Sequence, residues 1–184
     1  MQISKEALDF KSQLNNLRRP QNLCICGFLI ALYIVLSLYS IPLSDIIEIR
    51  FGFLAFLAGG MIGGPVMGIA VGFLGDTLNC FVRGFAYFPG FSFSYALTGA
   101  LFGLILYKSR VNQVRAVLCA LAEFLVSMFL TTFWLYLMYG TPLPVLISTR
   151  FVKCGLNFFA NIILIYIFIE ALQRIIRVAI PANK

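Results

Sequence analysis

The sequence has no histidine and little acid: its 184 residues include seven acidic and fourteen basic side chains. Without histidine, Ser-His catalysis, the zinc-protease motifs and most proton relays are excluded. Lys11 and Lys108 each precede a serine, but both follow an aromatic residue, so neither belongs to a Walker phosphate-binding loop. We therefore predict that the chain has no catalytic residues and is not an enzyme.

Cysteine is also sparse and is not arranged for chemistry. The five cysteines fall singly or at spacings that suit neither a metal site nor a disulfide: Cys24, Cys26, Cys80, Cys119 and Cys154. Free cysteine behaves as a small apolar residue, so we interpret all five as packing residues. No metal and no cofactor are expected.

Charge of either sign is scarce. Charged residues make up 11% of the chain, against about 25% in soluble domains, and the mean hydropathy is +0.95. Four uncharged stretches cover residues 20–44, 51–75, 84–107 and 124–149. A bilayer-spanning helix needs about 20 such residues, because the hydrocarbon slab is about 30 Å thick and a helix rises about 1.5 Å per residue. The sequence therefore predicts a multi-span protein of the lipid bilayer.

The net charge of +7 does not indicate a nucleic-acid partner, because of where the basic residues lie. Ten of the fourteen fall in the N-terminal segment, in a polar break at residues 108–115 and in the C-terminal tail. Under the positive-inside rule these three regions are cytoplasmic. An even number of spans must then lie between residues 20 and 107, and four fit.

The segment 116–173 has a polar centre near Gly140 and supplies two further spans. We therefore predict an all-α integral membrane protein with six transmembrane helices and both termini in the cytoplasm. Residues 1–20 would form an N-terminal amphipathic segment, residues 21–173 the membrane domain and residues 174–184 a basic cytoplasmic tail. In the first segment, Phe10, Leu14 and Leu17 recur at helical spacing, with Ser4 as a possible N-cap, which indicates a short helix on the inner membrane surface.

The run 51–75 is the hardest to place, since it contains eight glycines and the pair Gly64-Pro65. Proline is tolerated in the first turn of a helix and disfavoured in its interior. We therefore predict a helical hairpin, with one span ending near Gly63 and the next beginning at Pro65. A single kinked span is the alternative, but it would put the basic break outside.

Four basic residues lie in the outer half of this topology, although the positive-inside rule predicts basic residues on the cytoplasmic side. Their position therefore calls for a functional or structural explanation. Arg150 and Lys153 lie three residues apart, share a helix face and favour an anionic ligand. Arg50 and Arg83 are the other two basic residues in the outer half. Snorkelling to lipid phosphates or pairing with an acidic residue is the alternative, and for Arg83 both interpretations stay open.

Two acidic residues lie inside predicted spans. Asp76 shares a helix face with Gly68 and Gly72, so we expect it to point into the bundle. It would either pair with a basic residue or contact a ligand. Glu123 lies on the inner side, where a pairing or partner-docking role is favoured over a ligand role.

Aromatic residues are dense at the predicted outer ends, and Phe88, Phe91, Trp134 and Tyr136 are candidate binding residues. A membrane-interface belt would use the same residue types. So would a site that stacks on a flat heteroaromatic ligand. In the first span, Gly27 and Ala31 form a small-xxx-small pattern that suits close contact with another helix, although Gly99 and Gly103 repeat the spacing and internal packing explains either.

Several motifs together resemble one family. They are Gly27-x-x-x-Ala31, Arg50-Phe51-Gly52-Phe53-Leu54, Gly63-Gly64-Pro65-x-x-Gly68, Gly72-x-x-Gly75-Asp76 and Tyr87-Phe88-Pro89-Gly90-Phe91-Ser92-Phe93-Ser94. Over residues 21–170 they resemble the substrate-binding S components of energy-coupling factor (ECF) vitamin transporters, most closely the folate-specific branch.

The resemblance implies a six-helix bundle in a bacterial cell membrane that captures a vitamin from outside. It also implies a transmembrane T component and two cytoplasmic ATPases as partners, with Gly27 and Ala31 in the docking face. Folate suits the residues: its rings could stack on Phe88, Phe91 and Trp134, and its carboxylates could pair with the cations at positions 150 and 153. The carboxylate of Asp76 could accept hydrogen bonds from the N–H groups at the edge of the pterin ring. An S component for another vitamin such as riboflavin, or a non-transporting scaffold or channel, remains the alternative.

Overall fold

A computed structural model describes residues 10–42, 48–84, 86–107, 109, 112–140 and 143–179. Its helices are α1 (Phe10–Leu17), α2 (Pro20–Leu38), α3 (Phe53–Arg83), α4 (Pro89–Leu106), α5 (Gln113–Val126), α6 (Thr132–Tyr139) and α7 (Leu143–Ala179). A π-helical turn, Ser127–Thr131, joins α5 to α6, and two short strands, β1 (Ser40–Pro42) and β2 (Glu48–Arg50), lie between α2 and α3.

Five of these helical segments are long and apolar enough to cross a membrane: Pro20–Leu38, Phe53–Arg83, Pro89–Leu106, Gln113–Met138 and Leu146–Leu172. The helical, multi-span character that the uncharged runs predict is therefore confirmed. The fifth segment lies inside α7, and the fourth runs from α5 through the π-helical turn into α6.

The segment α3 contains the predicted hairpin. Gly64 has φ 80° and ψ −172°, so the helix is interrupted there and has two arms, residues 53–63 and 65–83. A Cβ built on Gly59 would lie 3.1 Å from Cγ2 of Val71, twelve residues further on. In a straight helix those residues would be about 18 Å apart, so the chain reverses. The interpretation of this run as a single kinked span is thereby excluded.

The second arm of α3 packs on α4 with the two backbones in direct contact. A Cβ on Gly68 or on Gly99 would collide with the other residue's carbonyl oxygen, so the crossing requires glycine on both sides. Small residues let membrane helices approach closely and gain van der Waals contact along the whole seam. This contact fixes the register of α4 against α3 and therefore the positions of the polar side chains above it.

The core lies between α2, α3 and α4. Phe56, Phe102 and Val71 are almost fully buried there. Tyr33 of α2 has its ring centroid 4.8 Å from that of Phe56, and Tyr95 of α4 has its centroid 5.5 Å from the same ring. These ring contacts hold α2, α3 and α4 together.

Two three-residue strands accompany the helices and leave the predicted all-α fold class unchanged. β1 and β2 pair antiparallel, with Ser40 opposite Arg50 and Pro42 opposite Glu48. A two-stranded ribbon lets the chain between α2 and α3 pair part of its backbone N–H and C=O groups, which a loop near the membrane must do.

The N-terminal helix is present as α1 and is tied to the hairpin. Gln13 is 3% exposed, and its Oε1 accepts a hydrogen bond of 3.3 Å from the backbone N–H of Val66. That N–H belongs to the first turn of the second arm, where helix donors have no partner within their own helix. Phe10 and Leu14 stay about half exposed on the other side of α1. The proposed cap Ser4 lies outside the described residues.

The last helix continues into the predicted C-terminal tail. The expected tail begins at residue 174, but α7 continues as a helix to Ala179. Arg174 donates a hydrogen bond of 2.7 Å to Oε1 of Glu170, an i, i+4 ion pair that extends the helix beyond its apolar part. The rest of the tail lies outside the described residues.

Candidate ligand-binding site

One end of the bundle gathers the predicted binding residues. The C-terminal end of α3 and the helix α6 both contact the N-terminal end of α4 there. A short connection joins α6 to the start of α7. The first turns of α4 lie at the centre of this end. They direct one serine towards α3 and another towards α6.

On the α3 side, Asp76 is buried at 5% exposure and points into the bundle, as its spacing from the glycines predicts. Ser92 of α4 donates a hydrogen bond of 2.7 Å to its Oδ2. Thr77 donates a longer one of 3.4 Å to the Ser92 hydroxyl oxygen. A carboxylate in a membrane bundle requires such donors, because burying it without them is costly. Its part in ligand binding stays a prediction.

On the α6 side, Trp134 donates a hydrogen bond of 3.1 Å from Nε1 to Oγ of Ser94. Phe88 lies against the same indole, with ring centroids 5.8 Å apart, and is 5.7 Å from the ring of Phe91. A Cβ added to Gly90 would approach Phe88 and Trp134 to 2.5 Å. The three predicted stacking residues therefore form one aromatic cluster around the start of α4.

The remaining predicted residues lie on α3, α6 and α7. Arg83 is half-buried in the last turn of α3. Tyr136 lies two residues after Trp134, so its ring points to a different side of α6, and it is 39% exposed. Arg150 and Lys153 are half-buried on α7, which packs against α5 and α6. The cations of α7 thus lie on a helix that contacts α6, the helix of Trp134, and Tyr136 lies on the surface.

The π-helical turn directly precedes α6, the helix that carries Trp134, and contacts α4. Thr132, the residue after the turn, is 5% exposed, and its hydroxyl has no hydrogen-bond partner among the described residues. π turns often mark functional positions in helices. Because a buried hydroxyl without a partner is unfavourable, this group is available to a ligand or to water.

Ser92 and Ser94 are the functional residues that sequence reasoning missed. Both are almost fully buried and hold Asp76 and Trp134 in place. Their alternation in Phe91-Ser92-Phe93-Ser94 suggests a strand more than a helix. The signal that could have found them is the Pro at position 89, which is typical of a first helical turn.

The small-residue motif of α2 faces away from the bundle. A Cβ on Gly27 would have no atom within 4 Å, and both Gly27 and Ala31 are exposed. Gly99, in contrast, lies against the backbone of Gly68. Internal packing therefore explains the motif of α4 but not that of α2.

A bundle of several apolar helices with polar side chains buried inside it defines an integral membrane protein of the helical class. The sequence profile of the family described as "ECF transporter, substrate-specific component" matches residues 21–181. The chain belongs to this family. It is therefore a multi-pass membrane component of a transporter and not an enzyme, as predicted.

Individual relatives agree with this assignment. The folate transporter FolT of Clostridium novyi is 34% identical over 143 residues, which are 76% of this chain and 83% of that protein. The uncharacterized protein MG313 of Mycoplasma genitalium is 30% identical over 70% of this chain and 46% of its own length. A crystal structure of FolT bound with folic acid superposes with a TM-score of 0.71 at 29% identity, covering 80% of this chain and 91% of that one.

Proposed function

We propose that this protein binds folate at the end of the bundle that carries the aromatic cluster and delivers it as the S component of an ECF importer. The observation that carries the proposal is the similarity to FolT over most of both chains. The cluster of Phe88, Phe91 and Trp134 supports it, because a flat heteroaromatic vitamin stacks on such rings.

The proposed topology places six helices across a bacterial cell membrane, with both termini in the cytoplasm. The reversal at Gly64 supports it, since it divides α3 into two arms that run in opposite directions, as a helical hairpin between residues 20 and 107 requires. The basic residues of the N-terminal segment, the break and the tail then lie on one side. The exposed faces of Phe10 and Leu14 suit a helix α1 that lies in the inner interface, with residues 1–20 as one amphipathic segment.

Within the site, Arg150 and Lys153 are proposed to bind the glutamate carboxylates of folate. Their half-buried position on α7 supports this role, because a partly desolvated cation binds an anion more strongly than an exposed one. On the side of the site formed by α3, Asp76 is proposed to accept hydrogen bonds from a polar edge of the ligand. Arg83 and Tyr136 would form the rim.

The partners follow from the family and from α2. We propose that Gly27 and Ala31 contact a transmembrane T component, which couples the subunit to two cytoplasmic ATPases. Leu23, one turn before the motif, and Phe28, within it, are more than 60% exposed, so a second helix could pack there over a small-residue groove.

A direct test is calorimetry on the purified subunit with folate, riboflavin and thiamin, alongside mass spectrometry of any co-purified ligand. Folate binding with a dissociation constant at least 100-fold below those of the other two is the expected result. Tight binding of riboflavin or thiamin would assign a different vitamin. Absence of binding to all three would leave a scaffold or channel and overturn the proposal.

A further inference from the structure

The short helix α1 lies at a bilayer surface because of the helix that follows it. The span α2 has 19 residues, about the length that crosses the hydrocarbon slab, so its first residue, Pro20, lies at one surface. Only Arg18 and Arg19 separate α1 from Pro20. Nδ2 of Asn22 donates a hydrogen bond of 2.7 Å to the backbone carbonyl of Asn16, which fixes the corner between the two helices. The helix α1 is therefore held beside the end of α2 that meets the headgroups.

One face of α1 is attached to the turn of the hairpin. Gln13 is buried and accepts a hydrogen bond from the backbone N–H of Val66. A Cβ built on Gly64 would lie 2.9 Å from Oε1 of Gln13, so this amide lies directly against the point where the chain reverses. Leu17, one turn further along α1, packs against the core. This attachment determines which side chains of α1 point away from the bundle.

The outward face of α1 carries an apolar strip, Phe10 and Leu14, beside two cations. Each residue of the strip is 48% exposed, and at about 100° per residue the strip borders the attached face. Lys11 and Arg18 are exposed and lie about 50° further round the helix. Arg18 follows the last residue of α1, but its backbone N–H still donates to the carbonyl of Leu14, so it continues the helical spiral.

The positive charge of this face is not balanced locally. Residues 10–44 include no acidic residue. Within the part of the chain that the structure describes, Lys11, Arg18 and Arg19 have no carboxylate partner. Glu6 and Asp9 precede α1 and lie outside the described residues. Because lysine and arginine are both strong ligands of phosphate, the face suits a phosphate-bearing partner.

We propose that α1 binds the phosphate headgroups of anionic phospholipids, in the cytoplasmic leaflet of the proposed topology. The cations at positions 11 and 18 contact the headgroups, and the apolar strip lies among the acyl chains. An acidic surface of a partner protein would match the cations but not the strip beside them. A zwitterionic lipid would match the strip, but its headgroup carries no net charge. Because Gln13 joins α1 to the hairpin turn, the bound lipids hold this end of the bundle at the membrane surface.

The test is native mass spectrometry of the intact subunit, released from nanodiscs of equal parts phosphatidylglycerol and phosphatidylcholine. One cation near an anionic surface strengthens binding about fivefold. Phosphatidylglycerol should therefore be enriched at least about fivefold among the lipids that stay bound. Lys11→Gln with Arg18→Gln should reduce this enrichment towards the bulk ratio. Lys11→Arg with Arg18→Lys keeps both charges and should retain it. Arg174→Gln is the control on α7 and should also retain it, because Glu170 already balances that charge.

The outcomes distinguish a lipid from a protein partner. Equal amounts of the two lipids on the unmodified protein, or enrichment that survives in the double glutamine variant, would overturn the proposal. If that variant keeps the enrichment but no longer co-purifies with the cytoplasmic ATPases, the cations bind protein instead. Calorimetry with folate on the same samples should show equal affinity for both proteins, since neither position belongs to the proposed ligand site. The lipid ratio does not depend on the vitamin, so failure of the proposed function would leave this test intact.

Discussion

Two leucines on the outer face of α2 should uncouple transport from binding. A Cβ on Gly27 meets nothing within 4 Å, and Ala31 is exposed, so Gly27→Leu with Ala31→Leu adds side chains without displacing any atom of the bundle. Surface changes of this kind usually alter stability by less than about 0.5 kcal/mol. Ligand affinity of the isolated subunit should therefore stay within about threefold of normal.

The same leucines should prevent docking of the T component. A gap of even 0.5–1 Å forfeits about a quarter to a half of a van der Waals contact, and a leucine in place of glycine separates two helices by more than that. Co-purification with the T component and ATP-dependent folate uptake in proteoliposomes should both fall to background.

Two controls define what this result means. Gly155→Leu on α7 also enters open space and should leave both binding and uptake intact. Gly99→Leu collides with the backbone of Gly68, so it should abolish binding together with uptake. Persistent uptake by the α2 double variant, or loss of its ligand binding, would refute the docking role.

Three further results are expected. Arg150→Ala or Lys153→Ala should weaken folate binding by about 2–5 kcal/mol, because a desolvated carboxylate loses its partner; unchanged calorimetry for both would assign these cations to lipid headgroups. Trp134→Ala should weaken binding while Trp134→Phe largely preserves it, and normal binding by the alanine variant would place the aromatics in an interface belt. Gln13→Ala should lower the midpoint of thermal unfolding by about 2–4 °C, since the N–H of Val66 loses its acceptor; an unchanged midpoint would mean that water replaces it.

The membrane architecture was predictable because its physical signals are local. A run without charge predicts a span, and Gly64-Pro65 predicts a reversal because proline cannot continue the ladder of hydrogen bonds. The inward direction of Asp76 followed from its spacing to Gly68 and Gly72, which only reflects helical periodicity.

The polar contacts were not predictable, because each joins residues that are distant in sequence. Asp76 and Ser92 are 16 positions apart, and Glu123 and Asn161 are 38 apart. Whether two such side chains meet depends on how the helices rotate and slide against one another, which a single sequence does not specify. The paired strands were not predictable for the same reason, because their register depends on the distance between the end of α2 and the start of α3.

The reversal at Gly64 has a consequence for biogenesis. The insertion machinery meets α3 as one helical segment of 31 residues that is long and apolar enough to span the membrane. The positive φ of Gly64 and the following proline divide it. If the run were inserted as one span, every later helix would be inverted and the basic break would face outside, against the positive-inside rule. In the proposed topology, this one turn of the chain therefore sets the side of the membrane on which the cations of α7 lie, and with them the side from which the ligand would enter.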